Sequence, residues 1–401
     1  MITALRENID WVGYVDWTVR DFHGYSTNRG STYNAYLVRD EKTALIDTVK
    51  APYAGDLLEH IQALTSLDKV DYIVCNHAEP DHAGGLTQVM KACPNAVVVC
   101  NQKCQKTLSQ YQDTSAWKIQ IVRDGGQISL GRRTLVFMDT PMVHWPESMF
   151  TYIPEEKLLF SMDAFGQHLA ASNRFDDDEA NDLNVVMNEA KTYYANIVML
   201  YGKQVLRVLE RAAGLAIETI APSHGVIWRK HIGDIIAAYK DWAVCKPRPK
   251  VLVIYDSMWQ STAAMARAIV DGASVPGVDT RLYSVRAGNI TTLASEAMDA
   301  AVLAFGSPTL NMTMMPEMAA ALTYLKGLRP AGKAGFAFGS YGWAKNGPAE
   351  VESVMKEMQI EILREMITAQ YAPTAEALKE CFEAGRALAA KALEITKGIP
   401  R

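Results

Sequence analysis

Four residues of metal-ligating type fall within six positions at His77-Ala-Glu79-Pro-Asp81-His82, and Ala83-Gly84-Gly85 follows. Imidazole nitrogens and carboxylate oxygens are the donors that hold transition metals in proteins. A single histidine beside an acid is ordinarily a turn or cap residue, whereas this density points to one half of a two-metal site. The run Val70-Asp-Tyr-Ile-Val-Cys75 before it is apolar and β-branched, and Leu86-Thr-Gln-Val-Met-Lys-Ala92 after it has helical spacing. The ligands therefore belong on a loop between a strand end and a helix start. Residues two apart in an extended stretch share a side, so His77, Glu79 and Asp81 are expected to line one side, with His82 turning to the other. Gly84 and Gly85 are expected to supply a tight bend.

A two-metal site needs further ligands, and three places repeat the order strand, ligand, then Gly or Pro. Thr134-Leu-Val-Phe-Met-Asp runs into a loop bearing His144-Trp-Pro, Lys157-Leu-Leu-Phe-Ser-Met ends at Asp163-Ala-Phe-Gly, and Glu218-Thr-Ile-Ala-Pro-Ser ends at His224-Gly. A strand-end His or Asp alone is commonly a turn residue; the recurrence is the signal. Of the eight histidines, His23, His60, His168 and His231 lack neighbouring ligand types and are read as structural or surface residues, with His23 and His168 able to approach a pocket.

The elements that must position these groups belong to an ordinary globular chain. Its 401 residues allow two or three domains, with 49% hydrophobic and 21% charged residues. Forty-five acidic against 40 basic side chains, without a Lys/Arg block, give no basis for binding nucleic acid or an anionic membrane. No run reaches the ~18 apolar residues of a membrane span and the N-terminus lacks a signal-peptide pattern, so a cytoplasmic location is expected. The six cysteines show neither CxxC pairs nor regular spacing and read as reduced, mostly buried thiols, the CxxxC of Cys100 and Cys104 being a weak metal signal.

Lys246-Pro-Arg-Pro-Lys250 reads as a linker between domains at 1–246 and 250–401. Beyond it, Val251–Tyr255, Thr280–Ser284, Ala300–Gly306 and Ala334–Gly339 read as buried strands alternating with helical stretches such as Ala263–Gly272 and Pro316–Gly327. That rhythm fits one doubly wound parallel sheet, whose ligands bind beyond the carboxyl ends of its strands. Three strand ends carry unusual loops: Asp256-Ser257-Met258-Trp259-Gln260-Ser261-Thr262, Gly306-Ser307-Pro308-Thr309-Leu310-Asn311-Met-Thr313, and Gly339-Ser340-Tyr341-Gly342-Trp343. Hydroxyls and successive amides at a helix N-terminus make a phosphate cradle, and the absence of Lys there suits a phosphate held by neutral donors, as FMN is held in flavodoxins. Trp259, Tyr341 and Trp343 are the candidate neighbours of a flat ring. No GxGxxG supports a dinucleotide site.

Taken in order, HxExDH at 77–82, His144-Trp-Pro, Asp163-Ala-Phe-Gly, His224-Gly and Tyr255-Asp-Ser-Met-Trp-Gln-Ser-Thr262 resemble the flavodiiron proteins over nearly the whole chain. The resemblance implies an α/β protein: an N-terminal metallo-β-lactamase-like αββα sandwich and a C-terminal flavodoxin-like doubly wound parallel sheet. It implies FMN and a non-haem di-iron centre in which His77, Glu79 and His144 hold one iron, Asp81, His82 and His224 serve the second, and Asp163 bridges. In this family the histidine at position 82 is a ligand in some members and turned away in others. Hydrolases of this fold carry a second histidine where Glu79 stands, and a hard carboxylate suits iron that cycles between oxidation states. The implied reaction is reduction of dioxygen to water, of nitric oxide to nitrous oxide, or both. Rubredoxin is the implied donor, since no rubredoxin-like pair of CxxC motifs precedes Arg401, and subunits are implied to pair head to tail as a homodimer or homotetramer. Tyr25, Trp145, Phe165 and Tyr194 are candidate pocket residues by the same resemblance. The alternatives are a zinc hydrolase with an appended FMN electron-transfer module, and an electron carrier whose metal site is structural.

Overall fold

A computed structural model of the chain describes residues 2–399. Two compact units divide it: residues up to Tyr194 with Tyr201–Lys240, and Ala195–Leu200 with the residues from Asp241 onward. The helix Ile232–Ala243 spans that division. The stretch read as a linker is in part a strand, because Arg248–Tyr255 already pairs from Arg248 onward.

In the first unit, two sheets carry the site. One joins Thr3–Arg6, Ile9–Trp11, Tyr36–Arg39, Thr43–Ile46, Val70–Val74, Val97–Cys100 and Ile119–Ile121 in that order; its first four strands are antiparallel and the rest parallel. The other joins Gln127–Ser129, Thr134–Asp139, Met149–Ile153, Leu158–Met162 and Thr219–Pro222. Side chains alternate along each strand, and the sequence uses both faces. Tyr36, Val38, Ala44, Ile46, Val74 and Val99 point between the sheets, where Leu135, Phe137, Ile153, Leu158 and Phe160 meet them. Their neighbours Leu37, Leu45, Ile73 and Val98 point outward onto Leu57, Ile61, Leu86, Val89 and Leu108. Those residues lie on the helices Ala54–Gln62, Leu86–Ala92 and Gln102–Tyr111. Met149–Ile153 and Leu158–Met162 are buried at every position, so the second sheet is covered on both faces. The result is the β-lactamase-like sandwich.

The second unit holds a wholly parallel sheet in the order Asp279–Ser284, Arg248–Tyr255, Ala300–Gly306, Ala334–Tyr341, with the edge position shared by Glu361–Ile362 and Ile367–Gln370. This is the flavodoxin order. The helices Ser261–Ala273 and Ala375–Ile395 contribute Met265, Ile269, Cys381, Ala384 and Leu388 to its core. Their backbones approach so closely that a Cβ at Gly385 would lie 2.0 Å from the carbonyl oxygen of Ile269.

Candidate metal and flavin sites

The ligand loop begins where Val70–Val74 ends, and buried neighbours fix its course. Asp47 accepts the backbone N–H of Asn76 at 2.7 Å and its side-chain amide at 2.9 Å, which aims the chain into His77. The loop is extended only through Glu79. Pro80–Ala83 is a helical turn, so Asp81 leaves the extended line expected for it. Proline at the first helical position starts this turn without losing a needed donor. Gly84 and Gly85 adopt right-handed helical dihedrals, so the expected glycine bend is absent. What Gly84 supplies is room: a Cβ there would sit 2.2 Å from the carbonyl oxygen of Pro80 and 2.9 Å from the amide nitrogen of Ala51.

Seven side chains from four places converge in two groups, His77, Glu79, His144 and Asp163, and Asp81, His82 and His224. All are buried except His144, which is partly so. Asp163 stands between the groups. Its Oδ2 lies 3.3 Å from His77 Nε2 and 3.1 Å from His144 Nε2. Its Oδ1 lies 3.0 Å from His82 Nε2 and 3.4 Å from His224 Nε2. Glu79 Oε2 approaches His77 Nε2 at 3.1 Å and His144 Nε2 at 3.3 Å, while Asp81 Oδ2 approaches His224 Nε2 at 3.1 Å. Burial alone would raise the three acids, yet the surrounding histidines hold Glu79, Asp81 and Asp163 below the usual carboxylate range.

Outer partners orient the rings. His77 donates from Nδ1 to Glu147 Oε1 at 2.9 Å, and His224 donates from Nδ1 to the carbonyl of Thr32 at 2.6 Å. Both acceptors lack a proton to give, so the protons sit on Nδ1 and the Nε2 lone pairs face the cluster. His82 turns inward as well, and Thr48 donates its hydroxyl to the His82 carbonyl. The buried Asp81 Oδ1 and His82 Nδ1 have no hydrogen-bond partner among the described residues, and His82 Nε2, though 3.0 Å from Asp163 Oδ1, makes no aligned hydrogen bond. Buried polar atoms without partners are costly, and a cation among them would satisfy them. Four imidazoles and two carboxylates around a shared aspartate thus fit a two-metal site.

Several residues near the cluster were legible only in part. His23, read as a surface or structural residue, places Nε2 2.9 Å from Glu79 Oε1. Tyr25 lies beside it, ring centroids 6.2 Å apart, and burial with the charges of Glu79, Asp163 and Asp81 pushes its hydroxyl up to about 12. Trp145 packs edge-on to His77 at 5.0 Å. Tyr194 packs on Tyr239 at 4.9 Å, and Phe165 on the same ring at 4.4 Å. Tyr193, which the sequence did not single out, also reaches the cluster: its hydroxyl donates to Asp163 Oδ1 at 2.9 Å. His168 binds the Ser31 hydroxyl at 3.0 Å, and burial pushes it down to about 3, so it is neutral. His60 and His231 bind Val12 and Asp234 away from the cluster. Asp47, Thr32 and Glu147 carried no sequence signal, since their partners are remote in the chain.

In the second unit, a cavity of about 380 Å³ opens at the carboxyl ends of the strands. Met258, Trp259, Ser261, Pro308–Asn311 and Ser340–Trp343 line it, and Met312, Ala344 and Tyr371 join them. Ser257, Gln260, Thr262 and Ser307 are not part of this lining. Gln260 takes a left-handed conformation immediately before the helix Ser261–Ala273. Thr262 lies 3.0 Å from the Ser340 hydroxyl, tying the first loop to the fourth strand. Ser307 accepts the Met315 amide at 2.9 Å and closes the third loop on itself. A slot with aromatic walls beside a helix N-terminus fits a flat ring carrying a phosphate.

Residues 32–225 match the ODP family beta lactamase description, and residues 253–385 match Flavodoxin. The chain is 44% identical to a nitric oxide reductase of Moorella thermoacetica, over 97% of this chain and 98% of the relative. It belongs to the flavodiiron protein family. A second relative of this flavodiiron chain is the rubredoxin-oxygen oxidoreductase of Megalodesulfovibrio gigas, 43% identical over 85% of this chain and 86% of that one. Among solved structures, the flavodiiron protein of Giardia intestinalis superposes with a TM-score of 0.95 at 40% identity, covering 98% of this chain and 97% of that one. The flavodoxin domain of this family member implies a flavin, and its His, Asp and Glu groups are consistent with a two-metal site. Among the described residues, no helix is long and apolar enough to cross a membrane.

Proposed function

We propose that this flavodiiron protein is an oxidoreductase that passes electrons from rubredoxin through FMN to a non-haem di-iron centre, where dioxygen, nitric oxide or both are reduced. The observation that carries the reading is Asp163, whose two oxygens face separate histidine groups while Glu79 supplies a carboxylate beside His77 and His144. His77, Glu79 and His144 would hold one iron, Asp81, His82 and His224 the other, and Asp163 both. Iron so held supplies a redox-active cation with positions open to a diatomic gas.

The chain's own residues shape the rest. Glu147 and Thr32 fix the tautomers of His77 and His224. Forming water or nitrous oxide consumes protons, and His23 and Tyr25 hold an N–H and an O–H beside the carboxylates. In the flavin slot, Ser257, Ser261 and Thr262 would receive the phosphate, with Ser307–Asn311 and Ser340–Trp343 around the ring and its chain. Trp259 and Trp343 are 89% and 85% exposed on the rim of this slot. Such a surface supports a protein partner there, as head-to-tail pairing into a homodimer or homotetramer would provide.

Metal and flavin analysis of purified protein tests the reading: about two irons and one FMN per chain are expected. Anaerobic reduction by rubredoxin, followed by rapid mixing with each gas, then ranks dioxygen against nitric oxide. Two zincs with hydrolytic turnover would overturn the proposal.

A further inference from the structure

Beside the metal cluster, on the side of His224, three tyrosines stack in a line. The Tyr33 ring lies 5.9 Å from the His224 ring, Tyr53 lies 5.5 Å from Tyr33, and Tyr14 stacks on Tyr53 at 3.8 Å with the planes 9° apart. The strands Tyr14–Asp16 and Ser31–Tyr33 pair with Tyr14 directly opposite Tyr33, and Tyr53 ends the short turn Ala51–Tyr53. Tyr33 is fully buried, whereas Tyr53 and Tyr14 are half-buried, so the line runs from the ligand shell toward solvent.

Hydrophobic packing would be served as well by phenylalanine. The hydroxyls have their own arrangement. Tyr53 donates to Asp16 Oδ2 at 2.8 Å. Asp16 is buried, and its Oδ1 is held by the Thr18 amide at 3.0 Å, the Thr18 hydroxyl at 2.9 Å and the Val19 amide at 3.0 Å. Burial alone would raise this acid, but those donors hold it below its ordinary value, so it is an ionised acceptor fixed against the Tyr53 phenol. Lys50 places its ammonium 3.4 Å from the Tyr33 hydroxyl and 5.4 Å from its ring centroid. A cation there disfavours removing an electron from Tyr33, whereas the anion at Tyr53 favours it.

We propose that Tyr33, Tyr53 and Tyr14 form a redox-active stack that conducts an oxidising equivalent from the metal centre toward the surface, with Asp16 as its proton acceptor. The inference rests on the oxygen-reducing reading of that centre. The oxidant is partly reduced dioxygen, left when the flavin delivers fewer electrons than water formation requires. Tyr53 gives that oxidant one electron and gives Asp16 its phenolic proton, leaving a neutral tyrosyl and a carboxylic acid. One electron from a soluble thiolate, which leaves as a thiyl radical, reaches the stack through Tyr14, and with return of the proton from Asp16 it restores both residues. The stack is then a protective outlet that keeps an unfinished reduction from oxidising the histidine ligands.

The test uses the full chain loaded with iron and flavin, reduced with a substoichiometric amount of donor, mixed with dioxygen and frozen for electron paramagnetic resonance. A tyrosyl signal that narrows when the protein contains ring-deuterated tyrosine is expected. Tyr53→Phe keeps the ring stack, should lose the signal, and should turn over normally with excess donor. Asp16→Asn should slow its appearance. Tyr14→Phe, which leaves the Tyr53–Asp16 pair untouched, should prolong the signal and provides a second test if Tyr53→Phe misfolds. Oxygen consumption by iron-loaded protein with no tyrosine-derived signal, or a signal unchanged in Tyr53→Phe, overturns the stack and leaves the reductase reading standing. No oxygen consumption by the loaded protein overturns the stack together with the oxygen-reducing reading on which it rests, and leaves nitric oxide reduction standing.

Discussion

Glu147 Oε1 lies 2.9 Å from His77 Nδ1 and also accepts the Ala78 amide at 3.2 Å, from a carboxylate only 1% exposed. One acid thus sets both the ring and the backbone of the first ligand. Glutamine in its place can offer an N–H where His77 needs an acceptor, which destabilises the tautomer that bares Nε2. Glu147→Gln is therefore expected to lower metal affinity about 10- to 100-fold. Iron retained after dialysis against graded chelator measures it, and retention equal to the parent protein would remove Glu147 from the centre's support.

Glu79→His replaces an anionic hard donor with a neutral one at a position facing His77 and His144. The variant should keep its fold and its flavin and lose most of its reductase activity. Circular dichroism, flavin content and gas consumption report on these separately. Unchanged activity at full iron occupancy would refute the role given to Glu79.

Thr262 joins the first flavin loop to Ser340 through its hydroxyl. Removing one such hydrogen bond costs about 1 kcal/mol, so Thr262→Ala should weaken FMN binding roughly fivefold or more. Flavin fluorescence, quenched on binding, measures the dissociation constant. An unaltered constant would mean that the loop is held without this link.

Burial pushes the Cys93 thiol up to about 11 and, with the charge of Glu380, the Cys381 thiol up to about 12, from an ordinary value of 9.0. Above pH 9 the unfolded chain releases these protons while the folded chain keeps them, so the unfolded state binds fewer protons and stability falls as pH rises. Each thiol contributes at most ~1.4 kcal/mol per pH unit, and the loss levels off once its folded value is passed. Urea midpoints at pH 8 and pH 10 should differ less in a Cys93→Ala/Cys381→Ala protein than in the parent. Equal differences would show that these thiols do not titrate as their burial demands.

The ligand types and their strand-end settings were readable because each motif is local: HAEPDH, His144-Trp-Pro and His224-Gly each carry their own context. The parallel sheet of the second unit was readable from uninterrupted apolar runs. The divided edge strand and the helix Ala375–Ile395 were not singled out, since neither adjoins a chemical motif. Local reading failed where long-range packing decides. The turn at Pro80–Ala83 replaces an extended line, Gly84 answers to the crowding backbone of Ala51, and His23 reaches Glu79 from a hairpin 56 residues away in sequence. Tyr193 and Tyr194 are adjacent in the chain, and only the tertiary fold decides which of them touches Asp163.

His77 to His82 descend from one sheet, and His144, Asp163 and His224 descend from loops of the other. Each of the two ligand groups therefore draws on both sheets, and the span of ligands across each metal position is set by the thickness of the apolar layer between the sheets, where Val74 and Ile46 meet Phe160 and Leu158. A methylene added to or removed from that layer acts as a shim under a two-jawed clamp. Core volume, ordinarily a matter of stability alone, becomes in this protein a setting of bite distance.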